Sequence, residues 1–187
     1  MEDTKFQGML IPRTLEEQDD IDDIQKKIDE YGEQGPLRYR PSKDSYYLDI
    51  AKAVCARSTC LKRKYGCVIV NNDEIIATGY NGNPRGMTNC CDIGKCMRID
   101  KPHNSGDYSD CHSVHAEQNA MLSTSRRDMI GATMYLYGEE NGVQVNAVPC
   151  PICTRMIANS GITRVVNSAC ALKGSSFNVK NFIIGDK

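Results

Sequence analysis

The pattern of apolar and polar positions changes near residue 43. Residues 14–35 are densely charged, but their leucine and isoleucines recur at roughly helical spacing, which predicts one amphipathic helix followed by a proline-containing linker. From residue 44 onward the apolar positions become regular, and they predict a helix over residues 44–58 that begins at Asp44. We therefore predict an acidic N-terminal extension, residues 1–43, and a globular domain, residues 44–187.

Short β-branched runs alternate with helical patterns through the second part of the chain. They predict strands at residues 65–72, 74–81, 132–138 and 164–167, with a hairpin turn at Asn71-Asn72-Asp73 between the first two. Helices are predicted at about 114–125 and 150–159, and residues 177–184 are a candidate fifth strand. This order predicts an α/β fold, a layered sheet with helices on both faces.

Composition narrows the classes of protein to consider. The 187 residues, 40% of them hydrophobic, suffice for one domain with a full core. A net charge of -1 argues against a general nucleic-acid binder, because affinity for phosphate backbones comes from clustered basic residues. We find no apolar run near the roughly 18 residues of a membrane helix, and MEDTKFQGML lacks a signal-peptide pattern. We expect a cytoplasmic protein with no membrane partner, in which ten cysteines indicate metal binding or catalysis rather than disulfides.

Two short motifs carry the chemistry. His115-Ala116-Glu117 opens one predicted helix and Pro149-Cys150-Pro151-Ile152-Cys153 opens the next, matching the H-x-E…P-C-x-x-C signature of zinc-dependent nucleobase deaminases. Both thiolates of a Cys-x-x-Cys at a helix start can bind one ion, and a histidine completes a three-ligand site with the fourth position left for water. We predict that His115, Cys150 and Cys153 bind a catalytic Zn²⁺. Taken separately, a solvent-exposed His-x-Glu and a redox Cys-x-x-Cys are the alternatives.

Glu117 lies two residues after the predicted histidine ligand. Hydrolytic deamination needs a group that takes a proton from water, delivers it to the ring nitrogen and assists the departure of ammonia. We predict that Glu117 is this catalytic residue and not a zinc ligand.

Four segments, STCLKRKYG, GYNGNPRG, HAEQNAM and PCPICTRMIANSGITRVV, occur in this order. Together they resemble the deoxycytidylate (dCMP) deaminase branch of the cytidine deaminase-like superfamily. The resemblance implies a three-layer α/β/α sandwich with a central mixed sheet, and residues 44–187 as its catalytic domain. It also implies hydrolysis of dCMP to dUMP and ammonia, which supplies dUMP for thymidylate synthesis. The alternatives are deamination of free cytidine or deoxycytidine, deamination of a tRNA adenosine, and a catalytically silent nucleotide-binding regulatory module.

The resemblance also suggests residues that bind substrate. It places Asn81 against the sugar and the backbone amide of Ala116 at the pyrimidine carbonyl, although an asparagine in a tight turn is equally expected on structural grounds. A substrate phosphate needs cations, and those nearest in sequence to the motif loops are Arg63, Lys64 and Arg85. The alternative for each is a solvated surface charge.

A second, structural zinc is implied by the same resemblance. Its ligands would be Cys60, Cys90, Cys96 and Cys111, with Cys91 or His112 able to replace one of them. The alternative is a loop with free thiols. The remaining cysteines of interest, which we interpret as small buried core residues, are Cys55, Cys67 and Cys170.

Two kinds of partner follow from the resemblance alone. Members of the branch assemble as homo-oligomers, and some bind a nucleotide effector, dCTP or dTTP, at a subunit interface near the GYNG segment. We therefore expect a homo-oligomer with a nucleotide substrate and a candidate nucleotide effector.

Overall fold

In the computed structural model, the described residues are 26, 40–103, 105–106, 108–168 and 177–179. The chain divides into two compact units, Met1–Arg40 and Pro41–Lys187. Apart from Lys26, which is helical, the predicted N-terminal helix lies outside the described residues. All elements given below belong to the second unit.

Five helices and six strands have defined bounds within the described residues. The helices are α1 (Lys43–Cys55), α2 (Cys90–Ile93), α3 (Ala116–Met121), α4 (Arg126–Met129) and α5 (Pro151–Ser160). The strands are β1 (Arg63–Asn71), β2 (Glu74–Tyr80), β3 (Thr133–Glu140), β4 (Val143–Val145), β5 (Arg164–Asn167) and β6 (Phe177–Asn178).

The strands form one mixed sheet in the order β2-β1-β3-β5-β6, with β4 paired to β3. Strand β1 is antiparallel to both β2 and β3, whereas β3 and β5 are parallel. The parallel pair is connected by a crossover that contains α5, as a parallel connection requires.

Each face of the sheet buries its own apolar cluster. Along β1, Val68 and Val70 pack with α1 on one face, and Cys67 and Ile69 pack with α3 and α5 on the other. This alternation is the period of two of a strand buried on both sides. The predicted three-layer α/β/α sandwich is confirmed.

Two glycines let helices approach the sheet closely. A Cβ on Gly79 of β2 would lie 2.9 Å from Ala120 Cα of α3, with the Ala120 nitrogen and the Ala116 oxygen closer still. A Cβ on Gly66 of β1 would lie 2.8 Å from Cys55 Cα of α1, on the opposite face. Contacts this short lie well inside the normal separation of carbon atoms, so the backbones of both helices rest directly on the strands.

Helix α1 begins differently from the prediction. Its N-cap is Ser42, whose Oγ accepts a hydrogen bond of 3.1 Å from the Ser45 backbone N–H. Asp44 lies in the first turn, and its carboxylate instead accepts hydrogen bonds from Arg164 and from the Tyr135 hydroxyl. Asp44 therefore joins α1 to β3 and β5 instead of capping the helix.

Other sequence-based expectations have mixed outcomes. The helix predicted over 114–125 is the shorter α3, followed by the separate α4, and of the candidate strand 177–184 the structure describes two strand residues. Cys55 and Cys67 are buried as predicted, whereas Cys170 lies outside the described residues. None of the described helices has both the length and the apolar character needed to cross a membrane.

Candidate metal centre and active site

The two sequence motifs meet at the starts of α3 and α5. His115 is the residue before α3 and Cys150 is the residue before α5, so the imidazole and the first thiol stand at adjacent helix N-termini. His115 Nδ1 lies 3.6 Å from Cys150 Sγ and 3.4 Å from Cys153 Sγ. The three ligand atoms lie within 4.8 Å of one another, and no other group in the described part of the chain meets this criterion.

These distances fit zinc. With Zn–S near 2.3 Å and Zn–N near 2.05 Å, tetrahedral angles separate a sulfur and a nitrogen ligand by about 3.6 Å. The observed separations of 3.6 and 3.4 Å match this value. Two thiols and one imidazole are also the donor set that catalytic zinc accepts with one position left open.

The helix starts fix the ligands in place. Cys150 Sγ accepts a hydrogen bond of 3.5 Å from the Cys153 backbone N–H, and Pro151 occupies the first turn of α5, where its missing N–H costs nothing. At the other helix, the His115 backbone N–H donates to Gln118 Oε1 over 3.0 Å. The positions of all three ligands therefore follow from local capping interactions.

Hydrogen bonds within the cluster shift the pKa values of its two thiols in opposite directions. Hydrogen bonds from Cys153 and His115 lower the pKa of Cys150 to about 3, so that Cys150 is a thiolate at neutral pH. The Cys153 thiol has a pKa raised well above its usual range by its hydrogen bond to Cys150 and by burial. The hydrogen bond between His115 and Cys150 raises the pKa of His115. A bound divalent cation deprotonates coordinating thiols, so it would displace the protons that Cys153 and His115 hold toward the Cys150 thiolate.

Glu117 is buried beside the cluster. Only 5% of the residue is exposed, and burial raises the pKa of its carboxyl group, with His115 opposing the shift. A carboxyl group in such surroundings can both accept and donate a proton near neutral pH. Its place in the first turn of α3 puts it one residue beyond Ala116, whose backbone N–H is at the start of the helix.

The side chain of Asn81 ties together the loops around the site. Its Oδ1 accepts hydrogen bonds of 2.7 Å from both the Ser58 hydroxyl and the Tyr65 backbone N–H, and its Nδ2 donates to the Arg63 carbonyl over 2.9 Å. These bonds occupy both acceptor positions of Oδ1 and one hydrogen of Nδ2, so only the second Nδ2 hydrogen can bind a substrate. The structural alternative considered for Asn81 therefore has direct support, and the sugar contact stays a prediction.

The three predicted phosphate-binding cations do not converge. Arg63 donates from Nε and Nη2 to Glu140 Oε2 over 3.0 and 2.6 Å. Arg85 is exposed and donates to the Ser123 hydroxyl over 3.1 Å, beyond the C-terminal end of α3. Lys64 follows the even-numbered positions of β1, which face α1, so it projects from the sheet face opposite the zinc ligands. This face disfavours Lys64 as a phosphate ligand.

Sequence reasoning missed two residues beside the site. Tyr65, like Cys150, packs against the core cluster that contains Ala116 and Cys153, and its ring centroid lies 6.5 Å from that of His103. The alternation along β1 was the available signal for Tyr65, because it shares the face of Cys67. His103 gave no such signal, since it lies in a polar loop.

The cysteines predicted for a structural zinc surround one cavity. Cys60, Cys90, Cys96 and Cys111 all line it, together with His112, and its volume is about 350 Å³. Burial and the neighbouring cysteines Cys60, Cys96 and Cys111 raise the pKa of the Cys90 thiol. Cys91 is exposed and its thiol is directed at Asp92. The structure thus brings the four predicted thiols around one space, although their sulfur atoms stand farther apart than those of the catalytic cluster.

Comparison with known proteins identifies the family. The sequence profile described as "Cytidine and deoxycytidylate deaminase zinc-binding region" matches residues 41–169. The deoxycytidylate deaminase of Schizosaccharomyces pombe is 42% identical over 132 residues, which cover 70% of this chain and 38% of that protein. The deoxycytidylate deaminase of Mycobacterium phage D29 is 42% identical over 131 residues, which cover 68% of this chain and 94% of that protein.

A solved structure supports the same fold. The apo dCMP deaminase of cyanophage S-TIM5 is 27% identical, with a TM-score of 0.50 over 69% of this chain and 84% of that one. The present chain spans less than half of the length of the fission-yeast relative. The profile match nevertheless includes every residue of the His115–Glu117 and Cys150–Cys153 motifs. The chain therefore belongs to the cytidine and deoxycytidylate deaminase zinc-binding family.

Proposed function

We propose that this chain catalyses the zinc-dependent hydrolysis of dCMP to dUMP and ammonia, and so supplies dUMP for thymidylate synthesis. The observation that carries the proposal is the buried Glu117 carboxyl group beside the His115, Cys150 and Cys153 ligand atoms. The names of the fission-yeast and phage relatives support dCMP as the substrate.

Each residue of the site then has a defined task. His115, Cys150 and Cys153 would hold the zinc ion, which would supply a water molecule of lowered pKa as the nucleophile. Glu117 would accept a proton from that water and donate it to the ring nitrogen of cytosine. It would then take the proton of the hydroxyl newly bonded to the ring carbon and pass it to the amine, which leaves as ammonia while the carbonyl of uracil forms. Burial raises the pKa of Glu117, so the carboxyl group can hold the proton between its two transfers.

The substrate is held from both ends. We assign to the Ala116 N–H, at the start of α3, the hydrogen bond to the pyrimidine carbonyl, which the partial positive charge of a helix start favours. At the other end, Arg63 stands two residues before Tyr65 on the face that carries the site. Its guanidinium group hydrogen-bonds both Glu140 and the Tyr65 side chain, and its remaining N–H groups are the ones we assign to the substrate phosphate.

A second, structural zinc belongs to the proposal. Four thiols around one cavity suit a closed tetrahedral site, which needs no water position. In the segment from residue 86 to residue 111, the aliphatic side chains of Met87, Ile93, Met97 and Ile99 are all more than half exposed, so they do little to hold it in place. A metal bound by Cys90, Cys96 and Cys111 would hold the segment against Cys60. His112 lines the same cavity and is the alternative ligand.

We also propose a cytoplasmic homo-oligomer with a nucleotide effector site for dCTP or dTTP. Apolar side chains on the outer surface of the α3–α5 layer support an interface there, because Leu122 is 76% exposed and Ile152 is 58% exposed. Light scattering of the purified chain tests the assembly: a monomer at micromolar concentration would refute it.

Substrate choice is tested by measuring ammonia release from dCMP, deoxycytidine, CMP, dCTP and an adenosine-containing tRNA loop. The proposal predicts the highest kcat/KM for dCMP. Equal values for dCMP and deoxycytidine would remove phosphate recognition. Activity on the tRNA loop alone would refute the proposed function.

A further inference from the structure

Arg63 and Glu140 form an ion pair where β1 begins and β3 ends. The two residues are direct partners in the antiparallel register, and the Nη2–Oε2 distance is 2.6 Å. Their side chains are 21% and 27% exposed, so water screens the pair only partly. Arg63 lowers the pKa of Glu140 and Glu140 helps to raise that of Arg63, so both residues are charged at neutral pH.

The backbone fixes the position of Glu140. Asn141 and Gly142 follow it with φ angles of 53° and 79°, which is the tight turn of a two-residue hairpin, and Glu140 pairs with Val143 across that turn. Glu140 therefore belongs to two ladders, to β1 and to β4. The carboxylate is presented to Arg63 by rigid structure on both sides.

This pair stands at the edge of the active site. Arg63 lies about 7 Å along the strand from Tyr65 and on the same face, given the rise of 3.3 Å per residue. Tyr65 in turn packs against the core cluster that includes Ala116 and Cys153. Burial, with the nearby Glu117 carboxyl group, raises the pKa of the Tyr65 hydroxyl, and the Tyr65 ring lies near the His103 ring. A nucleotide with its base at Glu117 would extend its phosphate past Tyr65 toward Arg63.

Glu140 halves the positive charge at this edge of the site. Lys62 donates from Nζ to the carbonyl oxygens of Arg98, at 2.8 Å, and Lys101, which leave its positive charge unneutralised. Burial and the nearby Arg63 lower the pKa of His103, so this imidazole is neutral at neutral pH. Lys62 and Arg63 contribute two positive charges and Glu140 removes one, which leaves one.

We propose that Glu140 determines how many phosphate charges the site accepts: it cancels one of the two positive charges and so favours a nucleoside monophosphate over a triphosphate. The inference rests on the proposed function for the identity of the substrate. Glu140 does not touch the reacting atoms, and it acts through Arg63 as a specificity-determining residue.

The test compares Glu140→Gln with the matched control Glu139→Gln. Glutamine keeps the shape of the side chain and an oxygen that can accept from Arg63, but removes the charge. Glu139 precedes Glu140 in β3 and pairs in register with Lys64. It helps to raise the pKa of the Cys55 thiol of α1, so its charge lies on the α1 face of the sheet. Both variants lose one negative charge from the same strand, but Glu140 lies on the sheet face of Arg63 and Glu139 on the opposite face.

For Glu140→Gln, we expect the ratio of kcat/KM for dCMP to that for deoxycytidine to rise about three- to tenfold, the effect of one partly screened charge. Competitive inhibition by tripolyphosphate should strengthen more than inhibition by orthophosphate, because it carries more charge. Both gains should shrink at high salt. Unchanged ratios, or an equal change in Glu139→Gln, would overturn the proposal.

A failure of the proposed function can be told apart from a failure of the Glu140 proposal. If the wild-type chain does not deaminate dCMP, calorimetric binding of tripolyphosphate and orthophosphate still decides the role of Glu140. Stronger tripolyphosphate binding in Glu140→Gln than in wild type supports it, and equal binding overturns it.

Discussion

Replacing Gly79 by alanine should separate the position of α3 from the chemistry of its residues. The added Cβ would lie 2.9 Å from Ala120 Cα, whereas carbon atoms in ordinary contact lie about 3.5–4.0 Å apart. The Ala120 nitrogen would be nearer still, so helix α3 must move by about 1 Å or more away from β2. Overpacking of this kind costs about 1–3 kcal/mol of folding free energy.

The displacement matters because the start of α3 positions both His115 and Glu117. His115 precedes the helix and Glu117 is in its first turn, so both move with the backbone. A misplacement of about 1 Å in a catalytic group costs on the order of 100-fold in rate. We expect Gly79→Ala to lower kcat/KM for dCMP by roughly that factor, at a temperature where the variant is fully folded.

Gly66→Ala supplies the matched control. Its Cβ would meet α1 at a similar distance, 2.8 Å from Cys55 Cα, but on the sheet face away from the metal cluster. The assay combines thermal unfolding, zinc content and steady-state ammonia release. Both variants should lose stability, and Gly79→Ala alone should lose most of its activity per folded molecule. Equal activity losses in the two variants would refute the reasoning.

Three further predictions concern the metal, an ion pair and the N-terminal extension. Cys96→Ser should lower the zinc content from two ions per chain to one and loosen the loop while leaving the catalytic ion in place; one zinc in fully active wild type would contradict this. Asp44→Asn should cost about 1 kcal/mol at neutral pH, a value reduced for the solvent exposure of Asp44 and Arg164. Because Arg164 lowers the pKa of Asp44 below 3.8, this stabilisation is present above about pH 4 and is lost as the pH falls through the folded-state pKa, so urea unfolding curves of wild type and variant should converge in acid. Deleting residues 1–40 should leave a folded, active domain, since the family match begins at residue 41; an insoluble product would contradict the predicted boundary.

The catalytic cluster could be predicted from sequence because its parts are local. His115 and Glu117 belong to one helix start, and Cys150 and Cys153 belong to another, so only the meeting of two helices was left to the fold. The sandwich was also predictable, because strand and helix patterns alternate along the chain. The β4 hairpin was missed even though Asn141-Gly142 is a strong turn signal.

The electrostatic partners of the site could not be predicted in the same way. Arg63 and Glu140 are 77 residues apart, and only the β1–β3 register brings them together. Asn81 shows a related limit, because its three hydrogen bonds depend on how the loops pack. Lys64 differs from these cases, because the alternation along β1 already placed it on the opposite face from Tyr65 and so disfavoured it as a phosphate ligand.

The most direct test of the account is the turnover of Glu117→Gln with zinc bound. Glutamine keeps the side-chain shape and leaves His115, Cys150 and Cys153 unchanged, but it cannot carry the proton. The account predicts the zinc content of wild type and a kcat for dCMP reduced by about 100-fold or more. Wild-type turnover by the zinc-loaded variant would contradict the assignment of Glu117 as the proton carrier.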